Sequence, residues 1–190
     1  MKTFLSSLRL MILMTLVLGL GYPLLVAGLG WAVFPAKAGG SLIQEQGQTR
    51  GSELIGQKFE SERYFWGRPS GIDFNPQPSG GTNLGPINPN LKKQIQEREA
   101  KMKAAHGPGA VPGELLVASA SGVDPDISPE GARYQIKRVA QARGVSEERV
   151  HQLVDQLSQG RQLGLLGEER INLLRLNSAL DREFGKGSTP

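Results

Sequence analysis

The first long apolar run of the chain predicts a helix that crosses a membrane. Residues 10 to 36 include no charged side chain, and a helix of this length spans about 40 Å, more than the hydrocarbon core of about 30 Å. Trp31 and Phe34 lie near its far end, where aromatic side chains form interfacial belts. We therefore expect a transmembrane helix over 10–36, preceded by a short tail over 1–9.

A cleavable signal peptide is the alternative interpretation of this run. Lys2 and Arg9 precede it, and residues 36–38 (AKA) place small residues at the spacing of a cleavage site. The apolar region of a signal peptide is usually about 7 to 15 residues long, whereas the uncharged run here is nearly twice as long. Its length favours an anchor that is retained.

The basic residues beside the predicted anchor do not decide its orientation. Lys2 and Arg9 lie on one flank, and Lys37 and Arg50 lie on the other. The free amino terminus adds a cation to the short side, and a short tail is the easier one to leave in the cytoplasm. We expect a cytoplasmic N-terminus and an extracytoplasmic bulk.

Two segments rich in glycine or proline follow the anchor. Residues 37–51 are polar and glycine-rich, which predicts a linker. Between 64 and 89, five prolines and five glycines exclude a long helix or a central strand. Four aromatic residues in the same stretch argue against disorder, because disordered segments are poor in aromatics. We interpret 64–89 as an ordered contact loop.

Three later helices are indicated by their caps. The Asn-Pro pair at 88–89 opens a polar helix to about residue 105, which we expect mostly in solvent. The Ser-Pro pair at 128–129 opens a second helix that ends at Gly144, and Ser146 opens a third. The apolar faces of the last two helices are expected in the core, and they consist of Ala132, Ile136, Val139, Ala140, Val150, Leu153, Val154 and Leu157.

Short strands complete the predicted fold. Residues 114–119 (ELLVAS) read as a strand, and residues 171–180 as a strand that runs into a short helix. The expected class is α+β, with one N-terminal transmembrane helix followed by a small, loop-rich mixed soluble domain over 52–185. Residues 186–190 are expected to form a tail.

Composition removes several classes of function. The 22 Lys and Arg residues and the 18 Asp and Glu residues are interspersed, whereas nucleic-acid binders cluster their basic residues, so we expect no nucleic-acid partner. The chain has no Cys, which excludes disulfides, thiolate metal sites and cysteine nucleophiles. Residues 185–188 (GKGS) lack the upstream glycine that a phosphate loop requires. We expect no catalytic residue, no resident metal and no covalent cofactor.

Asp124 and Asp126 flank Pro125 and form a candidate cation site. Two carboxylates this close suit a hard cation. The alternative is a purely local role, because Asp before Pro favours a turn and negative charge suits the N-terminus of the helix that follows.

Several blocks in order along the chain resemble the C subunit of the bacterial Kdp-type potassium-transporting ATPase. They are 51–57 (GSELIGQ), 64–70 (YFWGRPS), 79–86 (SGGTNLGP), 111–112 (VP), 118–128 (ASASGVDPDIS), Gln135, 138–140 (RVA), 163–168 (LGLLGE) and 176–177 (LN). The resemblance covers almost the whole chain and includes the anchor. Asp126 departs from the family pattern, which usually has His there, so a role that needs an imidazole at this position is in doubt.

The resemblance implies an accessory, non-catalytic subunit of a high-affinity, ATP-driven potassium import complex in the bacterial cell (inner) membrane. Its partners would be a channel-like potassium-translocating subunit, a P-type ATP-hydrolysing subunit and the lipid bilayer, with potassium as the transported ion. The subunit would stabilise the assembly and act as a catalytic chaperone that raises ATP affinity, with Gln135 as the implicated nucleotide contact. The alternative is a membrane-anchored extracytoplasmic binding module without a pump partner.

The residues that we expect to contact partner subunits all lie within the 64–89 loop. They are Tyr64, Phe65, Arg68, Ser79, Gly80, Gly81, Asn83 and Asn88.

Overall fold

A computed structural model describes residues 1–45 and 47–185, so the predicted tail over 186–190 lies outside the described residues. The chain divides into two compact units, one from Met1 to Ser52 and one from Glu53 onward. Helices predominate, and the strands of the described residues form two small antiparallel sheets. The predicted α+β class is confirmed.

The first unit begins with the apolar helix. It consists of α1 (Lys2–Met14), a π-helical stretch (Thr15–Gly21) and α2 (Tyr22–Val33). By length and composition it is able to cross a membrane, and no part of its apolar window is buried within the chain. The helix ends before Pro35, because the residue preceding a proline is disfavoured in the α-helical region. Phe34 accordingly has φ −133° and ψ 59°.

Residues 37–51 differ from the expected linker because they contain regular structure. A single helical turn, α3 (Pro35–Ala38), is followed by β1 (Leu42–Glu45), which pairs antiparallel with β2 (Gln48–Ser52). Arg50 Nε lies 3.1 Å from Glu45 Oε2, so the polar side chains that suggested a linker instead form a cross-strand ion pair.

The second unit contains the three helices predicted from their caps and the helix expected near the end of the chain. They are α4 (Pro89–His106), α5 (Pro129–Arg143), α6 (Glu147–Leu157) and α7 (Leu173–Phe184). The side chains of Asn88 and Ser128 accept hydrogen bonds from Asn90 N (2.9 Å) and Gly131 N (3.0 Å), which satisfies free backbone donors at each helix start. Gly144 ends α5 in the left-handed conformation, with φ 68°.

The strand expected at 114–119 is wrong. Gly113–Leu115 forms a short 3₁₀ helix instead. Its Leu115 is fully buried, and the Glu114 carboxylate accepts hydrogen bonds from the backbone N–H and hydroxyl of Ser128, at 3.0 and 2.6 Å. These two tertiary contacts override the local β pattern. The strand expected before the last helix is confirmed, since β4 (Ile171–Asn172) pairs with β3 (Asp126–Ile127) and leads directly into α7.

Two hydrophobic clusters hold the second unit together. In the larger one, residues of α5, α6, α7 and the short β3–β4 sheet pack around Phe65. It contains Phe65, Ile127, Ala132, Ile136, Val139, Ala140, Val150, Leu153, Val154, Ile171, Leu173, Leu176, Ala179 and Leu180. The smaller cluster is formed by Trp66, Met102 and Leu115. The expected α5 and α6 faces are therefore core, with Leu157 at the edge.

Candidate functional site

Segment 62–66, which begins in a turn and continues without regular secondary structure, is held by side chains rather than by a neighbouring strand. Each of its five successive carbonyl oxygens accepts a hydrogen bond from an Arg, Asn or Gln side chain of α5 or α7. A buried peptide group without a partner is costly. The donors, which we call the polar clamp, are Gln135, Arg138, Arg143 and Asn177.

Two amides of the polar clamp imitate the edge of a β-strand. Asn177 Oδ1 accepts from Phe65 N at 2.9 Å, and its Nδ2 donates to Phe65 O at 3.0 Å. Gln135 does the same for the next residue, accepting from Trp66 N at 2.8 Å and donating to Trp66 O at 2.9 Å. The two amides thus pair the backbone of both aromatic residues.

Gln135 has no hydrogen-bonding capacity left. Its Oε1 also accepts from Arg138 Nη2 at 2.9 Å, and its Nε2 also donates to Gly131 O at 3.1 Å. A glutamine amide offers two donors and two acceptor positions, all four are used, and the residue is 0% exposed. In this structure Gln135 therefore organises the Trp66 backbone and presents no amide edge to a nucleotide.

Arg138 is a buried cation that donates hydrogen bonds to several acceptors at once. Its guanidinium donates to Glu62 O and to Tyr64 O (2.9 Å), and its Cζ lies 4.1 Å from the centre of the Trp66 ring. Burial lowers the pKa of Arg138 to about 10, so the group stays charged at neutral pH.

The contact between Arg138 and His106 defines the histidine tautomer. Arg138 Nε lies 2.8 Å from His106 Nε2, and an arginine nitrogen can only donate, so Nε2 is the acceptor. The proton is then on Nδ1, which donates to Met102 O at 2.9 Å. Burial lowers the pKa of His106, and the Arg138 charge lowers it further. The site is therefore built around a neutral imidazole.

Arg143 closes the other end of the polar clamp. Its Nε donates to Arg63 O at 2.7 Å and its Nη2 to Asp181 Oδ1 at 2.8 Å, with the side chain fully buried. The Tyr64 hydroxyl donates to the second oxygen of the same carboxylate at 2.9 Å. Burial and this hydrogen bond raise the pKa of Tyr64. Tyr64 is half-buried and anchored, with only part of its ring accessible.

The rest of the predicted contact loop lies against residues 119–122. Gly80 N donates to Ser121 O at 3.0 Å, and the Ser79 hydroxyl donates to the same oxygen at 3.2 Å. A Cβ on Gly81 would lie 3.0 Å from Ala120 O, closer than most Cβ contacts in proteins, so glycine favours the close backbone approach there. These positions hold the loop against the domain.

Asn83 and Asn88 occupy the outer end of the loop. Asn83 is exposed and has φ 53°, a left-handed conformation that Asn tolerates. Asn88 caps α4 as described. Ile87, between them, is 97% exposed. Residues 83–88 are therefore one part of the predicted contact loop that is available to a partner, beside the exposed residues 75–79, and we call 83–88 the outer loop.

The eight predicted contact residues do not form one surface. Phe65 is a correction, because it is 0% exposed and lies in the core, where it cannot touch a partner. Arg68 is half-buried and paired with Asp124, with Nη1 2.8 Å from Oδ2. Tyr64 and Phe65 meet the polar clamp, whereas Ser79, Gly80 and Gly81 meet residues 119–122.

The cation site expected at Asp124 and Asp126 is not supported by the geometry. Asp124 is paired with Arg68 and accepts from the Asp126 backbone N–H at 3.1 Å, and Asp126 lies 3.3 Å from Arg170 Nε. Asn172 Nδ2 donates to the other Asp126 oxygen at 3.2 Å. Burial raises the pKa of Asp126 despite these partners. The two arginines supply the positive charge that a cation would, which leaves the local turn role.

No cluster of three or more metal-ligating His, Cys, Asp or Glu side chains occurs within residues 1–45 and 47–185. The polar clamp contains amides and guanidiniums that are charged at neutral pH, and these groups bind and orient but are poor proton-transfer catalysts. Its chemistry is that of a scaffold.

Sequence reasoning missed Arg138, Arg143 and Asn177 as organising residues. Their position in the helical pattern could have identified them. Gln135 and Arg138 alternate with Ile136 and Val139 on the buried face of α5. A polar residue at a core position of an amphipathic helix requires a buried partner, and the unpaired backbone of a proline-rich loop is such a partner.

Comparison with known proteins agrees with the blocks seen in the sequence. The family described as "K+-transporting ATPase, c chain" matches residues 4–182. A protein of Methylibium petroleiphilum named "Potassium-transporting ATPase KdpC subunit" is 53% identical over 188 residues, covering 95% of this chain and 98% of that protein. Proteins of the same name from Bradyrhizobium diazoefficiens and Herpetosiphon aurantiacus are each 47% identical, over 93% and 96% of this chain and 95% and 97% of their own lengths. The chain belongs to the KdpC family, the c chain of K+-transporting ATPases.

Proposed function

We propose that this chain is an accessory, non-catalytic subunit of a high-affinity potassium-transporting ATPase complex. The observation that carries the proposal is the combination of KdpC family membership with one apolar helix of membrane-spanning length and a domain whose buried polar groups organise a loop. The subunit's task is to stabilise the assembly of a channel-like potassium-translocating subunit with a P-type ATP-hydrolysing subunit. Potassium is the transported ion of the complex.

The outer loop is our candidate for the subunit contact. The contacts of residues 79–81 fix the N-terminal side of the outer loop and the Asn88 cap of α4 fixes its C-terminal side, so the exposed Asn83 and Ile87 are presented on an ordered backbone. Preorganised groups lose less conformational entropy on binding. Tyr64 and Arg68 support this surface by holding the loop, and Phe65 supports it from the core.

In our proposal, the subunit raises the nucleotide affinity of the ATP-hydrolysing partner indirectly, by stabilising the assembled complex. The saturated amide of Gln135 supports a structural role for that residue. ATP would then bind to the ATP-hydrolysing partner, and substitutions at Gln135 would change nucleotide affinity by disturbing the 62–66 segment.

An acidic substitution at Ile87 tests the contact surface. Ile87→Glu places a charge where we expect an interface, and Gln96→Glu places the same charge on an exposed position of α4. With the full chain expressed beside its pump partners, Ile87→Glu should reduce partner recovery in mild detergent by about tenfold. Gln96→Glu should leave recovery unchanged. Equal recovery with both variants would refute the outer loop as the contact.

The proposed topology places the N-terminus in the cytoplasm and the domain outside. Because the chain has no Cys, single cysteines report position without background. A membrane-impermeant maleimide should label Ser79→Cys in intact cells and should label Ser7→Cys only after lysis. The reverse pattern would refute the orientation.

The alternative is an anchored extracytoplasmic binding module without a pump partner. It predicts the same labelling but no co-purifying ATPase, so the recovery experiment separates the two functions.

A further inference from the structure

Residues 159–170 form a hairpin that exposes leucines at its tip. Gln159 and Arg170 exchange backbone hydrogen bonds of 2.8 and 3.0 Å, and Gln162 and Leu166 exchange bonds of 2.8 and 2.9 Å. The tip is thus an ordered element. Every residue from 161 to 170 is exposed, and the three leucines at the tip are Leu163, Leu165 and Leu166, which are 91%, 82% and 60% exposed.

Leu163 is also unfavourable for the turn that it forms. Leu163 and Gly164 have φ 54° and 74°, and Leu165 N donates to Gln162 O at 3.1 Å. Positive φ at both central residues is the pattern of a type I′ turn, which prefers Asn, Asp or Gly at the first central position. A bulky residue there is a true outlier. Neither burial within the described chain nor the geometry of the turn explains why position 163 is a leucine. Residues that are unfavourable for their local backbone conformation concentrate at functional positions.

The charges beside the tip distinguish a protein partner from a lipid surface. Arg161 Nη2 pairs with Glu168 Oε2 at 2.7 Å across the hairpin, and Glu169 and Arg170 follow, so the flanks carry no net charge. Loops that enter anionic bilayers carry an excess of basic residues. An apolar centre with a balanced polar rim is instead the anatomy of a protein interface.

We propose that the 159–170 hairpin is a docking knob that inserts Leu163, Leu165 and Leu166 into an apolar recess on another protein subunit of the potassium-transporting ATPase. This inference rests on the proposed function, since it names a second contact of the same accessory subunit. Burial in the partner would offset the strained turn and the exposed apolar area.

The test uses a substitution that should separate folding from docking. Leu163→Asn gives the turn a residue that it prefers, so the thermal midpoint of the full chain in mild detergent should be unchanged or higher. The double substitution Leu163→Asn with Leu165→Ser should reduce the recovery of pump subunits by about tenfold. A merely structural role would instead move midpoint and recovery in the same direction.

The control is Gln152→Asn, an exposed polar position on α6, which should change neither quantity. Normal recovery with the double variant, while the wild-type chain recovers its partners, overturns the knob and leaves the proposed function intact. A wild-type chain that recovers no partner overturns the proposed function itself.

A photoreactive leucine analogue at position 165 of the full chain in native membranes identifies the occupant. A crosslink to another subunit of the pump supports the proposal. A crosslink to phospholipid or to a second copy of this chain overturns it.

Discussion

The polar clamp and the docking knob differ in where they place polar and apolar side chains. Around segment 62–66, amide and guanidinium groups lie inside and are saturated, and Gln135 is 0% exposed. At the tip of the 159–170 hairpin, leucines lie outside, and Leu163 is 91% exposed. The contrast shows that buried side chains can pair the backbone of an irregular segment and so stabilise the fold, whereas the hairpin leaves apolar groups uncovered, which we propose a partner subunit buries.

The largest effect should follow from removing the buried guanidinium of the polar clamp. Arg138→Met keeps apolar volume but strands the acceptors on Glu62, Tyr64 and His106. Unsatisfied buried groups cost about 1–3 kcal/mol each, so we expect a loss of about 3–5 kcal/mol in the free energy of unfolding. Urea denaturation of the full chain in detergent measures it, and a loss below about 1 kcal/mol would contradict the buried network.

The next effect isolates the amide that pairs with Trp66. Gln135→Leu removes the partners of the Trp66 N–H and C=O and should cost about 2–4 kcal/mol. Gln141→Leu is the matched control on the exposed side of the same helix, and it should change stability by less than about 0.5 kcal/mol. Similar values for the two variants would mean that the amide contributes nothing beyond its volume.

A smaller effect depends on pH and tests the neutral tautomer of His106. Because its folded-state pKa lies below the ordinary 6.5, the unfolded chain binds more protons, and stability is lost as pH falls below about 6.5. His106→Asn should reduce this loss between about pH 7 and pH 5. His151→Asn, at an exposed position, should retain it. An unchanged slope in His106→Asn would contradict the assignment.

The smallest effect concerns the paired aspartates. Asp124→Asn removes a half-buried ion pair with Arg68 and should cost about 0.5–1 kcal/mol. Added Mg²⁺ or Ca²⁺ should leave the thermal midpoint of the wild-type chain unchanged, because a bound cation would raise it by mass action. A midpoint that rises with Ca²⁺ and fails to rise in Asp124→Asn would restore the cation site.

The helices of this chain were predictable because their signals are local. The Ser128 cap with Pro129 and the left-handed Gly144 bound α5 at both ends as expected. The 3₁₀ turn at Leu115 was not predictable, because it depends on burial against Trp66 and on a distant cap contact from Glu114. The alternation of apolar and polar residues that suggests a strand carries no information about either contact.

The segment that forms the candidate site was predictable, but the role of each residue in it was not. The aromatic, proline-rich stretch identified the ordered loop, yet Phe65 lies in the core and Gln135 is fully engaged. Those roles follow from pairings across about 70 to 110 residues, such as Trp66 with Gln135 and Phe65 with Asn177. The residue pattern of a single sequence does not reveal which loop a buried amide will contact.

Purification of the tagged wild-type chain from potassium-starved cells in mild detergent tests the accessory-subunit account most directly. We predict recovery of a large polytopic membrane protein and a P-type ATPase in equal amounts, together with ATP hydrolysis that potassium stimulates. Recovery of the chain alone, under conditions that preserve other membrane complexes, would contradict the account.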